Sequence, residues 1–218
     1  WLTWAMNTHV PALVAERYRK SRIVAFSTAC VYPFVPVDGP GASEMLNPTP
    51  VGEYANSCVG RERMFEHFSH QQQTPGRLIR LSYAIDMRYG VLHDLARQII
   101  ERKPVSLVMG HANVIWQGDA NEVALRCLAR CTTPATPVNV TGPGTLAVRD
   151  LAAAFGARRA LPVHMVDERH SSQEAEDRLR ERRASGLQRR RVAKGEVDSV
   201  SAAVILERWL SGEGRTDG

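Results

Sequence analysis

The 218-residue chain sets 28 Lys and Arg against 23 Asp and Glu, a formal charge of +5, and 44% of its residues are hydrophobic. That balance belongs to an ordinary soluble globular protein with material for one large domain or two small ones. It excludes a membrane-spanning helix, since no apolar run nears the roughly 20 residues required. The charge permits nucleic-acid contact without arguing for it. The N-terminus lacks the pattern of a signal peptide. Four cysteines (Cys30, Cys58, Cys127 and Cys131) do not make a disulfide framework at this size. Reduced thiols in a cytoplasm are expected. Cys127 and Cys131 stand four apart, but no nearby His or further Cys completes a tetrahedral zinc site.

Two composition regimes meet near residues 156–162. Before them, apolar strands alternate with amphipathic helices, the rhythm of the α/β class. Residues 13–19 read as the end of a helix and 22–27 as a buried strand. Residues 54–68 read as a helix with Val59, Met64, Phe65 and Phe68 on its inner face. A second strand follows over 77–82, then a helix over 91–101 closed by Lys103-Pro104. A helix at 119–129, a strand at 138–140 and a helix at 148–155 complete this part. Beyond it the text is dense in arginine and acid. It offers a strand at 163–166, a charged helix at 172–183, a basic loop at 186–195 and an amphipathic helix at 198–210.

Chemistry concentrates at Thr28, which ends the first strand, and Tyr54, in the run Tyr54-Ala55-Asn56-Ser57-Cys58. Hydride transfer requires a proton to move on or off the substrate oxygen. A phenol in reach can carry that proton, and a neighbouring hydroxyl can share the charge. An unperturbed phenol ionises near ~10, so it needs a cation beside it to act as a base at neutrality. A lysine one turn on would share the helix face; the residue there is Cys58. Arg61, a turn further, is the remaining source of positive field. On the residues alone, the favoured reading of Thr28 is a strand-end hydroxyl bonded to backbone, and that of Tyr54 an aromatic packed on the sheet. Cys58 reads as a small buried apolar residue or a reactive thiol. Trp116 beside Gln117 suits a sugar-like ligand, and suits core packing as well.

Residues 1–156 resemble the extended short-chain dehydrogenases/reductases, the NAD-dependent epimerases and dehydratases. Carrying the resemblance, in order, are Asn7 before a helix and Phe26-Ser27-Thr28; Val31-Tyr32 with Glu44 and Pro48; Tyr54 with Arg61-Glu62; the segment 113–124; Val138-Asn139-Val140-Thr141-Gly142; and Val148-Arg149-Asp150-Leu151. It implies an α/β, partial Rossmann-like domain lacking its first strands. It also implies Thr28 and Tyr54 as catalytic residues, with Thr28, Tyr54, Cys58 and Arg61 at a bound NAD or NADP. A sugar or nucleotide-sugar substrate and a homodimer go with it. Two departures point to an incomplete or degenerate site. The glycine-rich turn that holds a dinucleotide pyrophosphate is absent from the sequence, and Cys58 brings no permanent charge.

Residues 157–213 resemble the C-terminal part of the Holliday-junction-resolvase-like, pre-16S rRNA nuclease family, which is RNase H-like; 214–218 form a tail. The resemblance lies in the strand into Asp167-Glu168-Arg169-His170-Ser171-Ser172 and in Val197-Asp198-Ser199 opening a helix with Ala202, Ala203, Ile205 and Leu206. It implies Mg²⁺-assisted phosphodiester hydrolysis, with Asp198, Asp167 and Glu168 as metal ligands and Arg169 and Arg189-Arg190-Arg191 on phosphates. The plain alternative is a solvated face of mixed charge. Such a fold needs a first strand bearing an aspartate, which has no counterpart here, so nuclease activity is not expected. Three readings therefore stand open: an epimerase relative, nucleic-acid processing, and an inactive fusion or binding module.

Overall fold

The first strand-and-helix alternation in the sequence becomes a parallel sheet with helices on both faces. The computed structural model describes residues 1–166, 171–185, 200, 203–204 and 207–208. They fall into two units, one of Trp1–Val91 with Asn113–Thr145, the other of Leu92–Ala112 with the residues from Leu146 on.

The first unit opens on α1 (Leu2–Trp4), a π-helical turn (Ala5–His9) and α2 (Val10–Arg17), with Pro11 just after the π-helical turn. After them come β1 (Ile23–Thr28), a 3-10 turn (Ala29–Val31), α3 (Gly52–Gln72), β2 (Gly76–Leu81) and β3 (Tyr83–Ile85). The chain then forms α4 (Val91–Ile100), β4 (Val105–Ser106), β5 (His111–Trp116), α5 (Gln117–Cys127) and β6 (Thr136–Val140). β7 (Thr145–Ala147), α6 (Val148–Arg159), β8 (Met165–Val166) and α7 (Ser171–Ala184) follow.

In the first unit, β1, β2 and β6 form one sheet in the order β1-β2-β6, all parallel. Successive strand residues face opposite ways, and both faces are apolar. Ala25 and Leu78 pack with Ala15 of α2 and Phe65 of α3, while Ile79 and Val140 pack with Ala120 and Cys127 of α5. A sheet covered on both sides is the environment in which parallel strands are stable. The register pairs Thr28 with Leu81 and Leu81 with Val140, so the three C-terminal strand ends lie level.

The second unit packs α4 against α6. Leu95, Ile99, Val105, Val148 and Ala152 form its core, and β4 pairs parallel with β8. On α7, Ala175 and Leu179 are buried, and Arg178 bridges Glu174 and Glu207 at 2.8 and 2.6 Å.

The expected strands at 22–27 and 77–82 form within a residue of their limits. The helix expected at 54–68 runs longer, from Gly52 to Gln72, because Gln73 adopts a left-handed conformation (φ 56°) only then. β3, β4, β5 and β7 are not among the expected elements: β3, β4 and β7 are two or three residues long, and the six-residue β5 leads directly into α5 without a turn residue between.

Candidate active site

Level C-terminal ends of parallel strands are where α/β sheets bind ligands. Thr28 ends β1 in an extended conformation, and its Oγ1 accepts from the Cys30 amide at 3.2 Å, starting the 3-10 turn. That leaves the Thr28 proton available to a ligand. Tyr54 lies in the first turn of α3 and is half exposed, whereas Cys58, one turn on, is fully buried with Val31 and Tyr32.

The phenol of Tyr54 and the thiol of Cys58 influence one another, and burial pushes both ionisations above their ordinary values. For Tyr54, Cys58 adds to the upward push, and the Arg61 charge opposes it without overcoming it. The Arg61 guanidinium is already engaged. Nη1 donates to the Phe26 carbonyl at 2.5 Å, Nε donates to the Asn7 carbonyl at 3.3 Å, and Nη2 bonds Asn7 Oδ1. Thr28, Tyr54, Cys58 and Arg61 thus belong to one locality. Of these, Cys58 offers no exposed atom, and Arg61 serves to tie the π-helical turn to the end of β1.

Asn7 is the residue that site reasoning from sequence leaves out. Its Nδ2 donates to Ser57 Oγ at 3.0 Å, and Ser57 Oγ donates to the Tyr54 carbonyl at 2.7 Å. Thr8 Oγ1 donates to the Ser57 carbonyl at 2.9 Å, so the π-helical turn clamps α3 beside Tyr54. The signal available was the family position of Asn7; its partners lie fifty residues away.

Beneath the site runs a buried polar network. Arg80 donates from Nε and Nη2 to the two carboxylate oxygens of Glu62 at 3.0 and 2.7 Å, and both side chains are nearly inaccessible. Ser27 Oγ donates to Glu62 at 2.5 Å, and Arg80 Nη1 donates to the Tyr32 hydroxyl at 2.8 Å. Tyr32 in turn donates to Asn139 Oδ1 at 2.8 Å. The Asn139 amide donates to Glu44 at 2.8 Å, which holds the Glu44 carboxyl below its ordinary pKa. All three strands, α3 and the loop after β1 therefore meet at one ion pair. The sequence signal was an arginine inside the apolar run Leu78-Ile79-Arg80-Leu81.

At the far strand end, Asn113 donates to the Gly142 and Gly144 carbonyls at 3.2 and 2.9 Å, and its Oδ1 accepts from the Gly142 amide at 3.0 Å. A Cβ on Gly142 would stand 1.8 Å from the Val114 carbonyl oxygen. Gly142→Ala is therefore expected to destabilise the protein by at least about 1–3 kcal/mol, the usual range for overpacking, as a lower urea midpoint. Trp116 is exposed, and its neighbour Gln117 accepts a hydrogen bond from the Tyr89 hydroxyl.

Among the described residues, no group of three or more His, Cys, Asp or Glu side chains is placed to hold a metal ion. The expected ligands Asp198, Asp167 and Glu168, with Arg169 and Arg189-Arg190-Arg191, lie outside the described residues. Among the described residues, no helix is long and apolar enough to cross a membrane.

Fold and site together define an α/β protein with a Rossmann-like parallel sheet and a Thr/Tyr pair at its C-terminal edge. Comparisons with solved structures agree on the fold. The UDP-glucuronic acid 4-epimerase of Bacillus cereus, in complex with UDP-glucuronic acid and NAD, aligns at a TM-score of 0.64 and 16% identity over 74% of this chain and 54% of that one. The dTDP-glucose 4,6-dehydratase of Bacillus anthracis, in complex with NAD, gives 0.66 at 13% identity over 75% and 56%. At such identities the likeness speaks for the fold alone.

The C-terminal part has a second kinship. The RuvX family, described as Holliday junction resolvases, matches residues 132–212. A candidate pre-16S rRNA nuclease of Xanthomonas euvesicatoria is 51% identical over 67 residues, 29% of this chain and 43% of that protein. One from Maridesulfovibrio salexigens is 45% identical over 78 residues, 34% of this chain and 55% of that protein. The chain thus spans about half the length of these curated relatives, or less. It carries both resemblances, an epimerase/dehydratase-like fold and a RuvX-like segment.

Proposed function

We propose that residues 1–156 are a nucleotide-sugar epimerase/dehydratase relative whose site keeps a proton donor and lacks a base. The observation that carries this reading is the Tyr54–Cys58 pair. With its ionisation raised by burial and by the thiol, the phenol stays protonated at neutral pH. A protonated phenol donates a hydrogen bond to a carbonyl or hydroxyl oxygen. It does not take a proton from an alcohol, which oxidation of a sugar demands.

Support for a nicotinamide cofactor comes from the fold and from NAD in the neighbouring structures. The residues present fit it in part. The Thr28 hydroxyl and Tyr54 phenol suit the nicotinamide end, while the buried Cys58 thiol has nothing to offer a ribose. NAD or NADP, a nucleotide-sugar ligand, a homodimer and a cytoplasmic location belong to this reading. Mixing the protein with NADH and following fluorescence, then assaying conversion of UDP-sugars with NAD⁺, tests it. Binding without turnover is expected. Turnover abolished by Tyr54→Phe would refute the missing base, and absence of both binding and turnover would refute the site.

A second reading, nucleic-acid processing through residues 157–213, is favoured by the RuvX match and the identity to the curated relatives. In it Asp198, with Asp167 and Glu168, holds Mg²⁺. Mg²⁺-dependent cleavage of structured RNA or DNA, lost in Asp198→Ala, is its signature.

A further inference from the structure

The core of the second unit is drawn from two stretches of chain with different kinship. Leu95 and Ile99 of α4, Val105 of β4, Leu107, and Val148 and Ala152 of α6 lie in the epimerase-like residues 1–156, whereas Leu161, Val163 and Met165, packed against them, lie beyond residue 156 and inside the RuvX match. The second set covers a cluster whose buried members all belong to the first.

Three independent features seat the second set on the first. β4 pairs parallel with β8, Val105 opposite Met165 and Ser106 opposite Val166, and the Val105 amide donates to the His164 carbonyl at 2.8 Å. Gly156 leaves a notch in α6, where a Cβ would stand 2.2 Å from Val163 Cγ2 and 3.0 Å from the Leu161 carbonyl oxygen. Ala160 ends α6 in the left-handed region at φ 53°, and the Leu161 amide returns to the Gly156 carbonyl at 3.0 Å. The left-handed exit is unfavourable for an alanine, so packing beyond it must hold the turn. That turn aims the chain back across α6 and into the edge of β4.

We infer that the strand leading into Asp167-Glu168-Arg169 has been taken over as a structural strand of this unit. β8 is the partner of β4, and the residues before it seal the α4–α6 core. The surface it fits is the edge of β4 with the apolar side of α4, and its occupant is the segment 161–166 of the same chain. The second unit therefore folds as a joint product of the two kinships, and the join is a working fold. This holds whether or not Tyr54 is active.

Amide hydrogen exchange on the full chain tests it. The Val105 amide is expected to exchange slowly and in step with the inner amides of α4 and α6. Val163→Asp is expected to speed all of these by about tenfold or more while leaving the amides of β1, β2 and β6 unchanged. If that variant unfolds the whole chain, Met165→Ala is judged by the same criterion. Open-chain exchange at Val105 in the unaltered protein would overturn the inference. So would α4 amides whose rates ignore the substitution at 163 or 165.

Discussion

Glu62→Ala is expected to destabilise the first unit by roughly 3–5 kcal/mol, the loss typical of removing one partner from a buried ion pair. Arg80 would keep its charge in a site where it is 4% exposed, with its Nε and Nη2 donors unpaired. Ser27 would lose its acceptor as well, leaving the Arg61 bond to the Phe26 carbonyl as the hydrogen bond between the end of β1 and α3. The two ties together fix the strand carrying Thr28 against the helix carrying Tyr54. Urea denaturation reads the stability change. Glu62→Gln, which keeps one acceptor oxygen, should cost less than Glu62→Ala. Arg126→Ala, which removes an exposed i,i+4 pair with Glu122, should cost almost nothing. Equal losses in all three variants would mean that the buried network has no special weight.

The second large effect concerns Cys58→Lys, expected to move the Tyr54 ionisation to lower pH than in the unaltered protein. The sign follows from the site. Burial and the thiol both disfavour the phenolate, and Arg61 alone favours it. An ammonium in place of the thiol replaces an unfavourable neighbour by a favourable one. Two things limit the gain: position 58 is fully buried, which disfavours the lysine charge itself, and Arg61 repels a second cation nearby. Cys58→Ala keeps the site uncharged and should leave Tyr54 ionising well above the lysine variant. Phenolate absorbance, with the Tyr54→Phe protein subtracted, follows each titration. A lysine variant that titrates with the alanine variant would show that position 58 does not govern the phenol.

Much of this architecture is legible in the sequence because periodicity and burial act locally. The apolar runs at Ile23–Thr28 and Gly76–Leu81 have room for little but parallel strands between helices, and the turn holding Tyr54 follows from the spacing. What escapes is what depends on distant partners. Arg80 breaks an apolar run in the sequence, but nothing there pairs it with Glu62 until three strands bring Ser27, Tyr32 and Asn139 around them. Arg61, read from sequence as a cation for Tyr54, meets the Asn7 side chain and the Phe26 carbonyl first, because the π-helical turn Ala5–His9 packs on α3 there. Gly156 gives no hint of Val163, seven residues on, until the left-handed Ala160 folds the chain back. The thiol at 58, by contrast, is as informative in the sequence as in the structure. It marks the absence of a charge, and absence of charge needs no partner to be read.

The measurement closest to the central claim is the pH titration of Tyr54 itself, by NMR on ring-labelled tyrosine assigned with Tyr54→Phe. A site with a proton donor and no base predicts ionisation above the ordinary phenol value of 10.0. Ionisation near neutrality would contradict it, and would mean that Arg61 or another group supplies the field the missing lysine would have given.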